Sequence, residues 1–177
     1  CGYEGRADFQ DEFSVILVRS ASGEVRFWDS TANFHQGGML VKSVLPAGAA
    51  VEAQVANARE ISAKVAHALG YVGVLTLEFF ATRQGPVFNE MAPRVHNSGH
   101  WTPEVCATGQ FEQHIRAVAG WPLGAVTRYQ DGEMLNLLGD EAYVAARQQA
   151  APSGLTLYGK RESKPGRKMG HLVKRLP

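Results

Sequence analysis

One stretch of the chain constrains the fold more than any other. Residues 71–80 (YVGVLTLEFF) are apolar and of strand length, with a single charged residue, Glu78. This composition predicts a buried β-strand. A turn centred on Gln84 follows, and residues 86–91 can return as the partner strand. We predict a three-residue hairpin loop whose final glycine takes the left-handed conformation. The symmetric register about Gln84 then places Glu78 directly opposite Glu90.

Two carboxylates that face each other across a hairpin need an explanation, because their Cβ atoms lie about 5 Å apart and like charges repel. One of them could be protonated, a nearby arginine or lysine could neutralise both, or a divalent cation could bridge them. Mg²⁺ is typically bound by one or two carboxylates together with substrate phosphates. Asn89 would offer a further oxygen if the strand bulged. The residues alone leave the three interpretations open.

The remaining segments alternate between strand and helix patterns. Residues 12–20 predict a strand, and residues 25–34 its hairpin partner. Apolar residues at three- and four-residue intervals predict one helix over residues 46–69, stopped by Gly70. A second helix is predicted to begin with Thr102 as its N-cap and to end at Gly120. The short apolar pieces that follow suggest a small β-rich appendage. We therefore predict a mixed α/β (α+β) fold.

Composition excludes several classes of protein. Apolar residues make up 45% and charged residues 20% of the 177 residues, as in ordinary globular proteins. The formal net charge of +1 offers no basic field for nucleic acid. No apolar run approaches the roughly 20 residues that span a bilayer, so we expect no membrane partner. Two cysteines form no disulfide framework, which fits a reducing compartment such as the cytoplasm.

Two basic segments carry candidate binding residues. Residues 91–101 (MAPRVHNSGHW) form an irregular polar loop after the hairpin. His96 and His100 have the spacing of zinc ligands on a helix, but the Asn-Ser-Gly between them disfavours a helix. Donation from Arg94 and His96 to an anionic substrate is the better hypothesis, and a solvated loop is its alternative. Residues 160–171 (KRESKPGRKMGH) form a second basic cluster, which could bind phosphate or simply be solvated surface.

Together these segments resemble one family. The strings NEMAPRVHNSGHWT at 89–102, QFEQHIRAVAGWPLG at 110–124, GYEGR at 2–6 and PGRKMGH at 165–171 look like N5-carboxyaminoimidazole ribonucleotide synthetase, an enzyme with the ATP-grasp fold. The resemblance covers nearly the whole chain in family order. It implies an ATP-grasp domain over residues 1–125 and a small β-rich C-terminal domain over residues 126–177.

The resemblance also implies a reaction. ATP would phosphorylate bicarbonate to carboxyphosphate, which would carboxylate the amine of 5-aminoimidazole ribonucleotide in purine biosynthesis. The implied enzyme is a cytoplasmic carbon–nitrogen ligase, commonly a homodimer, that uses ATP and Mg²⁺. The alternatives are another ATP-grasp carboxylase, a formate-dependent ribonucleotide enzyme, or an inactive nucleotide-binding fragment.

Residue roles follow from the same resemblance. The implied metal ligands are Glu78 and Glu90. Asn89, Glu90 and His35 would lie at the nucleotide. The residues implied to contact the ribonucleotide are Tyr3, Glu4, Arg6, Lys160 and Arg167. The implied catalytic residues, which hold bicarbonate and the carboxyphosphate oxygens, are Arg94, His96 and Asn97, with Lys160.

The chain also departs from the family pattern. Glu4 stands where the family usually has aspartate. The family's N-terminal domain, with the lysine expected at the phosphates, has no counterpart before GYEGR. Further family segments have no counterpart between Arg6 and Ala7, where the adenine pocket would be lined. We therefore expect the chain to be a fragment, or the ordered parts of a longer chain.

Overall fold

A computed structural model of the protein describes residue 5, residues 7–140 and residues 153–177. Its elements, in chain order, are β1 (Asp11–Arg19), β2 (Val25–Phe27), β3 (Thr31–Gln36), β4 (Met39–Leu45), α1 (Ala49–Ala68), β5 (Gly73–Thr82), β6 (Gly85–Ala92), a 3₁₀ turn (Asn97–Gly99), α2 (Thr102–Val105), α3 (Gln110–Val118), β7 (Gly132–Leu138), β8 (Leu155–Leu157) and β9 (Lys168–Arg175). The mixed α/β prediction is confirmed.

The strands of the described part form one antiparallel sheet in the order β6-β5-β1-β3-β4-β7-β9-β8, with β2 paired to one end of β1. The predicted hairpin of residues 12–20 and 25–34 forms with its second arm in two pieces. Both β2 and β3 pair with β1, and residues 28–30 lie between them, where the buried Trp28 indole donates to the Thr108 carbonyl. The strands of residues 126–177 continue the same sheet through the pairing of β4 with β7. The domain boundary at residue 125 stays a prediction.

Helix α1 covers one face of the sheet. The side chains at odd positions of β1, Phe13, Val15 and Leu17, are fully buried and belong to one apolar cluster with Val51 and Val55 of α1. The predicted helix is confirmed, with Gly70 just beyond its end at a φ of 57°. Burial of an aliphatic side chain of this size contributes about 1.5–3 kcal/mol, so this cluster anchors the centre of the sheet.

The opposite face of the sheet changes from apolar to polar along β1. Ile16 and Val18 pack in a second cluster that contains Trp101 and Val105. Further along the same face, the inward positions are Ser14 and Glu12. Strand β5 shows the same change, because its register with β1 sets Glu78 opposite Ser14. A polar pocket therefore begins where this apolar cluster ends.

The prediction of one helix from Thr102 to Gly120 is wrong, because the chain forms α2 and α3 with a break between them. Cys106 makes an extended bridge to Arg128, and this tertiary pairing draws the backbone out of the helix. The N-cap of α2 is Trp101, not Thr102. The Thr102 hydroxyl nevertheless accepts a hydrogen bond of 2.9 Å from the first backbone N–H of α3, at Gln110. It thus serves the helix that follows the break.

No helix in the described part of the chain combines the length and the apolar character that a membrane crossing requires.

Candidate active site

The hairpin of β5 and β6 has a tighter turn than the sequence predicted. Thr82 pairs with Gly85, so the loop has two residues and not three. The Thr82 hydroxyl stabilises this turn, because it donates to the Gly85 carbonyl at 2.8 Å and accepts from the Gln84 N–H at 3.2 Å. Gly85 is still needed, since its φ of 120° is one that side chains rarely adopt.

A β-bulge then restores the predicted register. Phe79 pairs with Phe88, but the next pair on β5 is Leu77 with Met91, so Asn89 and Glu90 together lie across from Glu78. A bulge of this kind re-aims side chains at the site where it occurs. Ligand atoms of Glu78, Glu90 and His96 all lie within 4.8 Å of one another. The predicted approach of the two carboxylates is confirmed.

Glu78 is the buried member of this cluster, which we call the carboxylate cluster. Burial, together with the charges of Glu90 and Glu12, raises the pKa of Glu78 to about 7, while a hydrogen bond from Ser14 and the charge of Lys168 oppose the shift. The side chain is 8% exposed and Glu90 is exposed to solvent. A buried carboxylate beside two other carboxylates is stabilised when positive charge is added, either as a bound proton or as a bound cation.

His96 does not supply that charge. Its Nδ1 lies 3.7 Å from Glu78 Oε1, but burial, together with the positive charge of Arg94, lowers the pKa of His96 to about 4. The imidazole is therefore neutral near pH 7. Its Nδ1 accepts from the backbone N–H of Ser98, which fixes the ring at the start of the 3₁₀ turn. Of the three interpretations offered by the sequence, a bridging cation satisfies both carboxylates at once.

Gln110 holds the loop that carries His96. Its fully buried amide accepts from the His96 N–H at 2.9 Å and donates to the His96 carbonyl at 2.7 Å. It also lies 2.9 Å from Nδ1 of His100. One side chain of α3 thus satisfies both backbone groups of the residue that faces Glu78.

The carboxylate cluster lines a pocket of about 440 Å³. Within the described residues, the pocket is lined by Phe9, Glu12, His35, Gly38, Leu40, Glu78, Phe80, Asn89, Glu90, His96 and Lys168. Phe9 stacks on Phe80 with ring centroids 4.6 Å apart, which provides an apolar wall. Glu12 lies 2.8 Å from Nδ1 of His35. A concave site with an aromatic wall and a few convergent polar groups has the character of a small-molecule binding site.

Comparisons with known proteins agree with this geometry. The model of the ATP-grasp domain matches residues 1–111, which is more than half of the chain and contains the whole carboxylate cluster. The chain belongs to the ATP-grasp family. The model of the C-terminal domain of phosphoribosylaminoimidazole carboxylase matches residues 133–174. The ATP-grasp fold expected from the resemblance is confirmed.

Two similar proteins carry the name that the sequence resemblance suggested. The N5-carboxyaminoimidazole ribonucleotide synthase of Brucella melitensis is 49% identical over 176 residues, covering 98% of this chain and 48% of the relative. The structure of the synthetase from Thermus thermophilus matches with a TM-score of 0.86 and 44% identity, covering 98% of this chain and 48% of that one.

A third similar protein was solved with ligands. The Aspergillus clavatus enzyme, in complex with ADP and 5-aminoimidazole ribonucleotide, has a TM-score of 0.87 and 31% identity, covering 96% of this chain and 48% of that one. The chain thus spans about half the length of the relatives it matches. The resemblance seen in the sequence is confirmed.

The ATP-grasp chain brings some predicted site residues together and leaves others apart. Glu78, Glu90, Asn89, His35 and His96 all line the pocket. Tyr3, Glu4 and Arg6 lie outside the described residues. The individual roles of all these residues stay predictions.

The other predicted residues lie around the pocket and not among its lining residues. Arg94 is exposed and donates to the Val95 carbonyl. Asn97 exchanges two hydrogen bonds with Asn136 of β7. Lys160 donates to the Lys168 carbonyl, and its ammonium lies over the Tyr158 ring. Arg167 is exposed and donates to the Glu162 carbonyl.

Sequence reasoning missed three residues of this site: Glu12, Lys168 and Gln110. The half-buried ammonium of Lys168 lies in the fields of Glu78 and Glu90, while burial lowers its pKa. The basic run at residues 160–171 signalled Lys168 only as one charge among several. Glu12 carried a weak signal, since it begins the strand whose even positions turn polar. Gln110 carried none, because it lies in what was predicted to be the interior of one long helix.

A group of rings beside the site makes stability depend on pH. This ring cluster consists of His100, Phe111, Tyr158 and His171, with the His100 and His171 centroids 5.0 Å apart. Burial lowers the pKa of His100 to about 3 and that of His171 to about 4, from an ordinary 6.5. The unfolded chain therefore takes up these protons first, and the stability present above pH 6.5 is lost as the pH falls toward 4.

We expect His171→Gln to reduce this acid destabilisation by roughly 2 kcal/mol between pH 7 and pH 4.5, because one group that must stay neutral is removed. Urea unfolding of the full-length protein at a series of pH values measures the effect. The matched control is His67→Gln at an exposed position of α1, which should leave the pH slope unchanged. Equal slopes for wild type and His171→Gln would contradict the prediction.

Proposed function

We propose that this chain carries the metal–nucleotide half of an enzyme that carboxylates 5-aminoimidazole ribonucleotide with bicarbonate at the expense of ATP. The observation that carries the proposal is the carboxylate cluster, with ligand atoms of Glu78, Glu90 and His96 within 4.8 Å at the wall of a 440 Å³ pocket. The high sequence identity of this chain to N5-carboxyaminoimidazole ribonucleotide synthases also supports the proposal. The proposed products are ADP, phosphate and N5-carboxyaminoimidazole ribonucleotide, through carboxyphosphate.

The donor set suits Mg²⁺. Glu78 and Glu90 offer hard carboxylate oxygens, and the bulge brings the Asn89 amide to the same position of the hairpin. The pKa of Glu78 is raised because burial and the neighbouring carboxylates outweigh the hydrogen bond from Ser14 and the positive charge of Lys168, and a bound cation would supply further positive charge. Bound Mg²⁺ would neutralise charge on the phosphate oxygens of ATP. Glu78 and Glu90 would hold it from the two arms of one rigid hairpin.

The remaining pocket residues suit the nucleotide and the anions. Phe9 and Phe80 would provide an apolar surface, and His35, held by Glu12, would donate to the nucleotide. Lys168, which also lines the pocket, and Arg94 would place positive charge where negative charge develops on the transferring group. Neutral His96 would donate a hydrogen bond there without competing with the cation for the carboxylates.

The ribonucleotide would bind toward the C-terminal strands. Lys160 and Arg167 lie at the two ends of the segment that leads into β9, and we propose that they bind its phosphate. Asn97 is hydrogen-bonded to Asn136 of β7, so the polar loop of residues 91–101 is joined to the C-terminal strands through these two side chains. The homodimer and the cytoplasmic location expected from the sequence stay predictions.

A substrate-swap assay tests the function. The full-length gene product is given ATP, Mg²⁺ and 5-aminoimidazole ribonucleotide, with either bicarbonate or formate, and ADP release is measured. We expect ADP with bicarbonate, no more than background with formate, and loss of ADP release when a chelator removes Mg²⁺. ADP with formate alone would reject the carboxylase in favour of a formate-dependent enzyme. ATP binding without turnover in either mixture would favour a nucleotide-binding module.

A further inference from the structure

A line of buried polar side chains runs across the sheet behind Glu78. Asn33 Nδ2 donates to Ser14 Oγ at 2.7 Å, and the Ser14 hydroxyl donates to Glu78 Oε1 in a longer bond of 3.4 Å. At the other end, Asn33 Oδ1 accepts from Thr31 at 2.9 Å and from Ser43 at 2.8 Å. These five residues, which we call the polar relay, come from strands β5, β1, β3 and β4, and each is at most 8% exposed.

The chemistry of the groups fixes the direction of the relay. A hydroxyl has one proton to donate. The hydroxyls of Thr31 and Ser43 both donate to the amide oxygen of Asn33. The amide nitrogen of Asn33 therefore faces Ser14. Because the Ser14 oxygen accepts from that nitrogen, its own proton is directed away from Asn33, to Glu78. Every donor in the relay therefore points toward the carboxylate.

The relay lies where packing alone would favour apolar residues. Ile16 and Val18 occupy the same face of β1 and are buried in the apolar cluster with Trp101. Polar side chains in such a position are tolerated only when their hydrogen bonds are made. The strands already pair through their backbones, so the sheet can form without these side-chain hydrogen bonds.

We propose that Asn33 is a positioning residue for the carboxylate cluster: acting through Ser14, it sets the orientation in which the Glu78 carboxylate meets a divalent cation. The inference rests on the proposed function, because it takes Glu78 as a cation ligand. Asn33 is not among the pocket-lining residues, and its side chain is linked to Glu78 through its hydrogen bond to Ser14. Partners of this kind, one bond behind a ligand, typically change metal affinity by about 10- to 100-fold when they are removed.

The test measures Mn²⁺ binding to the full-length protein in the presence of ADP, by electron paramagnetic resonance of the free ion. We expect Ser14→Ala to weaken Mn²⁺ binding by about 10-fold. Ser14→Thr, which keeps the hydroxyl, should stay within about 2-fold of wild type. The matched control is Thr76→Val on β5, because among the described residues the buried Thr76 hydroxyl has no hydrogen-bond partner; it should bind Mn²⁺ as wild type does.

A double-mutant cycle tests whether Asn33 affects Mn²⁺ binding through Ser14. If Asn33 acts through Ser14, then Asn33→Leu and Ser14→Ala together should weaken Mn²⁺ binding no more than the stronger single change does. Fully additive effects would overturn the relay, and so would wild-type Mn²⁺ affinity in Ser14→Ala. Wild-type protein that binds no Mn²⁺ would overturn both this inference and the metal site. A reaction with formate in the substrate-swap assay would overturn the proposed carboxylation alone.

Discussion

Glu90→Gln is expected to lower turnover of the full-length enzyme by roughly 10²- to 10⁴-fold, because one of the two anions that we propose as cation ligands becomes a neutral amide of the same size. Glu90 lies opposite Glu78 at the bulge, and its ligand oxygen is within 4.8 Å of those of Glu78 and His96. Glu90 is the exposed carboxylate of the carboxylate cluster, so this substitution removes one negative charge without changing a buried side chain.

The same substitution should not weaken the fold. The Glu90 charge raises the pKa of Glu78, which shows that the two carboxylates repel each other in the metal-free protein. Removing that repulsion should leave the melting temperature without metal unchanged or slightly higher. The combination of lost turnover and retained stability separates a metal ligand from a structural residue.

The assay is ADP release with bicarbonate, carried out over a range of Mg²⁺ concentrations. Glu52→Gln, at an exposed position in the first turn of α1, changes the same chemistry away from the pocket and should leave turnover unchanged. Near-normal turnover in Glu90→Gln at ordinary Mg²⁺ would refute the metal role of this residue.

Gln110→Leu should have the largest effect on stability. Leucine has a similar volume but makes none of the hydrogen bonds of the amide with His96. The His96 N–H would lose its partner, and the His96 carbonyl would keep only the hydrogen bond from the Gly99 N–H. An unsatisfied buried polar group costs about 1–3 kcal/mol. With one such group and one further hydrogen bond lost, we expect the free energy of unfolding to fall by about 2–4 kcal/mol in urea titrations. Turnover should also fall, since the loop that places His96 and Arg94 loses its anchor.

Gln113→Leu is the matched comparison. Gln113 is on the same helix and fully buried, and its amide bonds both the N–H and the carbonyl of Gly124. Its loss should lower stability by a similar amount but leave turnover of the folded protein near normal, because Gly124 lies away from the pocket lining. Equal effects of both substitutions on turnover would show that Gln110 has no particular connection with the site.

The predicted approach of Glu78 and Glu90 is correct, but only part of its physical cause can be read from the sequence. The spacing of Glu78 and Glu90 about Gln84 predicted their approach, and they do approach. The predicted three-residue loop is wrong, however, because the Thr82 hydroxyl closes a tighter turn. That turn alone would have set Glu78 opposite Asn89. The bulge returns the register to the predicted one, and only the paired strands reveal it.

The break between α2 and α3 shows the opposite case. The apolar spacing after Thr102 is periodic enough for one helix, and Gly109, which becomes the N-cap of α3, is only a weak local sign of a break. The bridge from Cys106 to Arg128 and the hydrogen bond from Trp28 to the Thr108 carbonyl come from distant parts of the chain. These tertiary contacts end α2 and begin α3 at Gln110, which places the Gln110 amide under the His96 loop.

The amino-acid sequence by itself determined the strand and helix alternation, the hairpin that carries two carboxylates, and the polar loop that follows it. These features depend on near neighbours, through side-chain periodicity and turn residues. Only the tertiary structure decided that Glu12 and Lys168 line the pocket and that Asn33 and Ser14 lie behind Glu78. Those residues come from strands far apart in the chain, and their meeting depends on the register and face of each strand in the sheet, which is a property of non-local pairing.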